Sequence, residues 1–311
     1  MSANPHIKIL LATYNGSANL EEQLQSISAQ THANWSILAS DDGSTDDTRD
    51  VLDRFNKLGH RVTVLDGPRS GAAENFMSLV RRLSDHTEDG DWAAFSDQDD
   101  VWLPSKLERA VNRLNAINDD QPALFCARTW ITDEQLGGKR VSAPRPLPLS
   151  FRNALVQNVA AGNTIVVNKI GAKLLAEAAQ EVEEVVIHDW WAYQIVSGAG
   201  GHLCHDDEPA LLYRQHSVNQ IGANDSKRAK LKRMAMLLSG TYTQWNKINV
   251  AAMRQSSHRF TAENQHILDE FARLHDLPVL QRMRSMKQLR LYRQTRASTA
   301  ALWFAALARR I

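Results

Sequence analysis

Three carboxylates, Asp97, Asp99 and Asp100, stand within four consecutive positions of the run Ser96-Asp97-Gln98-Asp99-Asp100-Val101-Trp102. Carboxylates this close repel one another and lose hydration if buried, so the run is tolerable only in water, against basic groups or around a cation. Oxygen ligands beside a phosphate suit a hard cation, Mg²⁺ or Mn²⁺. A plain acidic turn capping the next helix is the alternative reading. The apolar segment Trp92 to Phe95 precedes the run at buried-strand length, and Pro104 follows where a helix can open. The cluster therefore belongs at the C-terminal end of a strand, where open α/β sheets bind ligands.

Other stretches carry candidate chemistry. Ile7 to Thr13 reads as a buried strand leading through Thr13-Tyr14-Asn15-Gly16 into a helix, Ala18 to Gln30, with Leu20, Leu24 and Ile27 on one face. Trp35 to Ser40 is a second strand ending in Asp41-Asp42-Gly43-Ser44-Thr45-Asp46. Asp41 or Asp42 can accept a hydrogen bond from a base N–H or a sugar hydroxyl, and Tyr14 can pack against a base; a turn plus helix cap explains the same acidic residues equally well. His188-Asp189-Trp190-Trp191 opens a helical stretch. There Asp189 can serve as a helix cap with the tryptophans in the core, and His188 can orient the loop or simply be a satisfied polar residue. Leu211 to His216 reads as a strand entering a loop, offering the Arg214 guanidinium to diphosphate oxygens and His216 to a metal, or both to the surface.

The elements positioning these residues repeat as strand and helix. A third strand is expected at Arg61 to Leu65, a helix at Ala72 to Leu83, the fourth strand at Trp92 to Phe95, a helix from Pro104 to about Ile117, and a strand at Ala123 to Arg128. The Pro-rich Ala143 to Leu149 reads as an irregular connection, and Ile165 to Val167 as a strand. This pattern predicts an α/β fold with a largely parallel, doubly wound sheet that becomes mixed after Ala123. Neither G-x-G-x-x-G nor Walker A occurs, which disfavours dinucleotide binding and P-loop hydrolysis.

Taken together, Ala12-Thr13-Tyr14-Asn15-Gly16, Asp41-Asp42-Gly43-Ser44-Thr45-Asp46 and Asp97-Gln98-Asp99-Asp100 resemble, in order and separation, the opening motifs of inverting family 2 glycosyltransferases of GT-A fold. Ser96 to Trp102 is similar to the form found in the rhamnosyltransferase-like branch, and Tyr213-Arg214-Gln215-His216 to its closing motif. The resemblance covers about seven-tenths of the chain, to Gly222. It implies a nucleotide-sugar site with Ala12, Tyr14, Asn15, Asp41, Asp42, Asp97 and Arg214. It implies Asp99 as metal ligand with Asp97 and His216, Mg²⁺ or Mn²⁺ as cofactor, Asp189 as the base for the acceptor hydroxyl, and His188, Trp190 and Trp191 on the acceptor side. The implied donor is a dTDP- or UDP-sugar, with dTDP-rhamnose favoured; the implied acceptor is a saccharide or polyprenyl-linked saccharide in cell-surface polysaccharide synthesis. No nucleic-acid partner is expected. Two other classes fit parts of the sequence: a haloacid-dehalogenase-like phosphatase using Asp97 and Asp99, and a non-catalytic sugar-nucleotide-binding or membrane-scaffold protein.

At 311 residues and 43 % hydrophobic, the chain can bury one large core or a domain with an appendage. The net charge of +1 conceals a division, because Asp225 to Ile311 holds 17 Lys/Arg against 5 Asp/Glu. The expected organisation is a GT-A catalytic domain over 1–224 and a basic helical region over 225–311, with helices at Ser226 to Leu238, Gln244 to Met253, Thr261 to Leu274 and Leu280 to Leu307. The apolar run Ala300 to Leu307 is too short to span a bilayer; it can lie on an anionic one or pack on the catalytic domain. Two cysteines, Cys126 and Cys204, make a disulfide framework improbable, and Ile7 to Ala12 is too short for a span. The expected setting is the cytoplasm, with peripheral contact on the inner membrane.

Overall fold

β1 (Ile7–Thr13) is mostly aliphatic, with Lys8 its one partly exposed residue, because both of its faces are covered. Ile7, Ile9 and Leu11 enter one hydrophobic cluster, Leu10 and Ala12 another on the opposite side of the sheet. This computed structural model describes residues 4–88, 90–117, 120–215 and 241–311. The further strands are β2 (Trp35–Asp41), β3 (Val62–Asp66), β4 (Trp92–Ser96), β5 (Val101–Trp102), β6 (Ala123–Thr132), β7 (Arg140–Val141), β8 (Val166–Val167) and β9 (His202–Arg214). They form one sheet in the order β3-β2-β1-β4-β8-β6-β9-β5, with β7 on β6. β3, β2, β1 and β4 are parallel; β8 lies antiparallel between β4 and β6, and β9 runs parallel to β6 and antiparallel to β5. The doubly wound half therefore stops at β4, and the mixed half is built from the chain after it.

The helices are α1 (Ser17–Ser28), α2 (Thr48–Lys57), α3 (Ala72–Arg81), α4 (Leu83–His86), α5 (Lys106–Leu114) and α6 (Phe151–Ala154). They continue as α7 (Lys169–Ala179), α8 (His188–Gly198), α9 (Thr241–Gln255), α10 (Ala262–Arg273), α11 (Val279–Leu289) and α12 (Arg296–Leu307). α1, α2 and α5 cover one face of the sheet, and α3, α7 and α8 the other. α9 to α12 contribute Met253, Phe271, Met286 and Leu302 to that second core. Polar ties reinforce the contact: Tyr292 and Ser150 share a hydroxyl hydrogen bond at 2.6 Å, Arg259 pairs with Glu177 and Glu181, and Asn264 donates to the Ser197 and Gly198 carbonyls. The described helices of this basic region thus pack on the α/β core.

Two elements differ from expectation. The single helix expected over Leu280 to Leu307 is a hairpin, α11 and α12: Arg290 takes a left-handed φ of 49°, Tyr292 docks on Ser150 and the Pro148 carbonyl, and Thr295 restarts the helix with a capping box. β9 begins nine residues before Leu211, and its polar start hid it; partnership with β6 makes it a strand despite Pro209, where the register shifts. The helix expected at Ser226 to Leu238, the basic run Lys227 to Arg233 and His216 lie outside the described residues.

Candidate active site

Parallel register brings the C-terminal ends of three strands to one edge: Thr13 is opposite Asp41, and Leu11 opposite Ser96. The loops that follow are bound to one another before any ligand is considered. Gln98 accepts from the Tyr14 N–H at 2.8 Å and donates to the Tyr14 carbonyl at 3.0 Å, joining the acidic loop to the first loop. A Cβ at Gly16 would lie 2.2 Å from Gln98 Oε1, so a side chain there would displace the Gln98 amide from Tyr14. Asn15, at φ 45°, accepts from the Thr45 N–H at 2.8 Å and donates its own N–H to Ser44 at 2.9 Å, so the loop after β1 also grips the loop after β2. Tyr14 is 56 % exposed, whereas Ala12 is buried at the end of β1.

Asp41 and Asp42 are both buried, and their carboxylates are engaged within the protein. Asp41 accepts from Ser44, Thr13 and Arg49 Nε, the last at 2.9 Å. Burial alone would raise its pKa; the hydrogen bonds from Ser44, Arg49 and Thr13 outweigh it and hold the group below the ordinary carboxylate value. Asp42 accepts the backbone N–H groups of Arg69 at 2.6 Å and Gly71 at 2.8 Å, fixing the loop that enters α3. The Ser44 N–H bond to Asp41 is a turn contact, while the partners of Asp42 tie this loop to the one entering α3.

α1 holds the acidic loop from below. Gln23 reaches Ser96 and, with its amide oriented to satisfy its neighbours, the Asp100 carbonyl and Trp102 Nε1; Ser26 accepts from the Trp102 N–H at 3.0 Å, and Gln30 bonds Leu103 and Leu107. Asp100 faces inward, accepting from Asn163 Nδ2 at 2.6 Å and weakly from the Arg214 N–H. Burial first, and then the charges of Asp97 and Asp99, raise its pKa well above the ordinary value. Asp97 and Asp99 remain partly open to solvent. Asp97 is raised to about 7 by burial, then by Asp99 and Asp189, while Lys106 opposes the shift. Lys106 is wholly buried with Nζ 2.9 Å from the Trp102 ring centroid, and burial pushes its pKa well down.

Asp189 is the second residue of α8. Its Oδ1 accepts from Asn158 at 2.8 Å and from the Trp190 N–H at 2.6 Å, and Oδ2 from the Gly162 N–H at 3.0 Å. A carboxylate offers about four acceptor positions, so one on Oδ2 is left for a further proton. Burial raises this carboxyl to about 6, with the bonds from Gly162, Trp190 and Asn158 acting the other way. His188 stacks on Phe76 at 3.8 Å, and burial lowers it to about 3, so the ring is neutral and forms part of the core. Trp190 and Trp191 are likewise buried, Trp190 donating to the Ala154 carbonyl and meeting Trp245 edge-on, so neither presents a face to a sugar in this structure. Arg214 spends its guanidinium on the Asp99 and Glu134 carbonyls and the Glu22 carboxylate, binding the acidic loop rather than standing open toward a ligand.

Among the described residues no group of three His, Cys, Asp or Glu side chains is arranged to hold a metal. The donor set still fits Mg²⁺ or Mn²⁺, because such ions commonly take one or two carboxylates and complete their shell with water and phosphate. Asp97 supports that fit, its carboxylate having no hydrogen-bond donor among the described residues while its neighbours Asp99 and Asp189 add negative charge. Gln98 lies inside the acidic motif and Gly162-Asn163-Thr164 leads into a strand whose surroundings resemble the family's acceptor-side region, but the sequence assigns no role to either, nor to Gln23 or Lys106. Their individual contacts with the acidic run and the candidate base are set by the fold.

The family model for glycosyl transferase family 2 matches residues 8–167, just over half of the chain. The chain belongs to this family. It is therefore a glycosyltransferase and not a haloacid-dehalogenase-like phosphatase built on Asp97 and Asp99. It is 29 % identical over 239 residues to the dTDP-rhamnosyl transferase RfbG of Shigella flexneri, covering 75 % of this chain and 80 % of that one. It is 26 % identical over 161 residues to the Escherichia coli UDP-Glc:alpha-D-GlcNAc-diphosphoundecaprenol beta-1,3-glucosyltransferase WfgD, covering 52 % and 59 % respectively. S. aureus TarS 1–349 in complex with UDP-GlcNAc matches the fold with TM-score 0.56 at 13 % identity, covering 98 % of this chain and 88 % of that one. The mannosyltransferase PcManGT of Pyrobaculum calidifontis, in complex with GDP-Man and Mn2+, matches with TM-score 0.51 at 16 % identity, covering 99 % and 88 %. The fold of this glycosyltransferase is GT-A: a mixed sheet flanked by helices, with further helices after it.

Proposed function

We propose that this family 2 enzyme transfers L-rhamnose from dTDP-rhamnose to a saccharide or lipid-linked saccharide in cell-surface polysaccharide synthesis, with inversion at the anomeric carbon. The donor assignment is supported by the similarity to RfbG, and a lipid-linked acceptor by the similarity to WfgD. The observation that carries the mechanism is a physical link: adjacent residues bind the two acidic sites, Gly162 through its N–H to Asp189 and Asn163 through its amide to Asp100. The candidate base and the candidate donor loop are thereby held at one place.

In this reading the acceptor O–H attacks the anomeric carbon as the bond to the diphosphate oxygen breaks, and its proton passes to the remaining acceptor position on Asp189 Oδ2. No covalent enzyme intermediate is needed. Asp99 and Asp97, with His216 as a further candidate, would hold Mg²⁺ or Mn²⁺, which when bound supplies positive charge against the leaving diphosphate. With Asp41 and Asp42 engaged in the loops, the nucleobase meets the exposed Tyr14 ring and backbone groups around Ala12 and Asn15. Arg214 acts by keeping the Asp99 backbone in place. A lipid-linked acceptor puts the enzyme at the cytoplasmic face of a membrane.

The test is incubation of purified protein with dTDP-rhamnose, UDP-glucose, UDP-GlcNAc and GDP-mannose, each with Mn²⁺, Mg²⁺ or EDTA, following nucleoside diphosphate release. Metal-dependent release from dTDP-rhamnose in preference to the others supports the assignment. Preference for a UDP- or GDP-sugar overturns the donor. Binding of sugar nucleotides without turnover under any acceptor mixture would favour the scaffold reading.

A further inference from the structure

We infer that the free end of the α11–α12 hairpin is a membrane-docking site that takes anionic lipid headgroups and the upper acyl region. The inference builds on the proposed lipid-linked acceptor but concerns a surface of its own. α11 and α12 form a hairpin whose near ends are the start of α11 and the finish of α12. Arg282 locks those ends together: wholly buried, it donates to the carbonyls of Leu274, Leu277 and Ala306 at 2.8, 2.6 and 2.8 Å. At this locked end Val279, Leu280, Phe304 and Leu307 are 43, 77, 71 and 45 % exposed, four of the eight large apolar side chains exposed among the described residues. Leu302, Ala305 and Ala306 on the same helix are buried, so α12 uses one face for the core and leaves the other apolar face uncovered.

Charge identifies the occupant. Residues 277–311 contain eight Lys/Arg and no Asp/Glu, and of the eight Arg282 is buried while Arg284, Lys287, Arg309 and Arg310 are exposed. Arg309 and Arg310 directly follow the apolar end of α12 and are fixed there. Arg310 N–H bonds the Ala305 carbonyl at 2.8 Å and Arg309 N–H the Ala306 carbonyl at 3.3 Å, a Schellman closure with Arg309 at φ 56° where glycine would be easier. An ordered apolar end beside arginines, on a hairpin without a carboxylate, matches an anionic bilayer surface: the aromatic and aliphatic tips enter the interface and the arginines meet phosphate. Asp276, just ahead of α11, is the one acidic side chain against eight Lys/Arg over residues 274–311, so the balance of charge favours an anionic surface.

The full-length protein is to be sedimented with vesicles of phosphatidylglycerol and phosphatidylcholine, and with phosphatidylcholine alone, at low and high salt. The expected result is salt-sensitive binding to the anionic vesicles only. Leu280→Ser/Phe304→Ser and Arg309→Gln/Arg310→Gln should each weaken it on the order of tenfold at unchanged melting temperature, while the charge-matched control Lys139→Gln/Lys173→Gln binds as wild type. The inference is overturned if wild-type protein ignores anionic vesicles, or if either hairpin pair binds as wild type. It is also overturned if Leu280→Ser/Phe304→Ser instead abolishes a dimer seen by light scattering without vesicles, since the patch then joins two copies. Because vesicle binding needs no donor, its failure is separable from failure of the transferase assignment, which nucleotide release measures independently.

Discussion

The Asn163 amide donates to Asp100 at 2.6 Å one residue after the Gly162 N–H reaches Asp189, so the single turn that leads into β8 ties the acidic loop to the candidate base. Asn163→Ala leaves the wholly buried Asp100 with only a weak backbone donor. Removing a partner from a buried polar group costs about 1–3 kcal/mol. Chemical denaturation should show a loss of that size, and donor affinity should fall because the loop relaxes. Unchanged stability and donor affinity would show that the bridge does not position the loop.

Gly162→Ala probes the same turn by volume. A Cβ there would sit 2.8 Å from His188 Nε2 and 3.2 Å from the Asp189 Cβ, and His188 is clamped against Phe76. Overpacking of this kind costs about 1–3 kcal/mol and would displace Asp189. Transfer should drop more than donor binding does, which parallel single-turnover and titration measurements will separate.

Asp189→Asn should retain donor and metal affinity yet slow transfer by about 10²- to 10⁴-fold, the range for a positioned general base. Because only the ionised carboxylate accepts a proton, wild-type turnover should rise with pH through about 6 and then level, following the raised pKa of this buried group. A variant with near-normal turnover and a flat profile would assign Asp189 to structure alone, through its bonds to Gly162, Asn158 and Trp190.

A second pH effect concerns stability. Asp41 titrates below the ordinary carboxylate value in the folded state, so its contribution is present above the unfolded pKa of about 4 and is lost as pH falls through the folded value. Arg49→Gln removes one of its donors and should cost about 1 kcal/mol at neutral pH, allowing for the half-exposed guanidinium. The gap between the melting temperatures of the two proteins should narrow as pH falls below the unfolded value of about 4. A constant gap across that range would mean the loss is packing, not charge.

Much of the catalytic half was legible because its signals are local: aliphatic runs for β1 and β2, a turn signature after β2, an acidic run at the end of β4. Roles that depend on contacts far apart in the chain were not. Asp41, Asp42 and Arg214 have side chains suited to ligands, yet each is used by the protein itself, and nothing in the types or spacing of Arg49, Gly71 or Glu22 announces that. Trp190 and Trp191 look like sugar platforms only until α9 and α6 are seen to cover Trp190 and the core to enclose Trp191. The C-terminal hairpin reads as one helix because Leu280 to Leu307 holds no glycine or proline, and the left-handed backbone at Arg290 carries no glycine to signal the break.

The central claim is that Asp99 belongs to a metal-dependent nucleotide-sugar site. It is tested most directly by calorimetric titration of dTDP-rhamnose into wild-type and Asp99→Asn protein, with Mn²⁺ and with EDTA. A neutral amide is nearly the same shape but a much weaker ligand for a hard cation. The account predicts that Mn²⁺ strengthens donor binding to wild type at least tenfold and leaves folded Asp99→Asn unaffected; equal enhancement by Mn²⁺ in both proteins would contradict it.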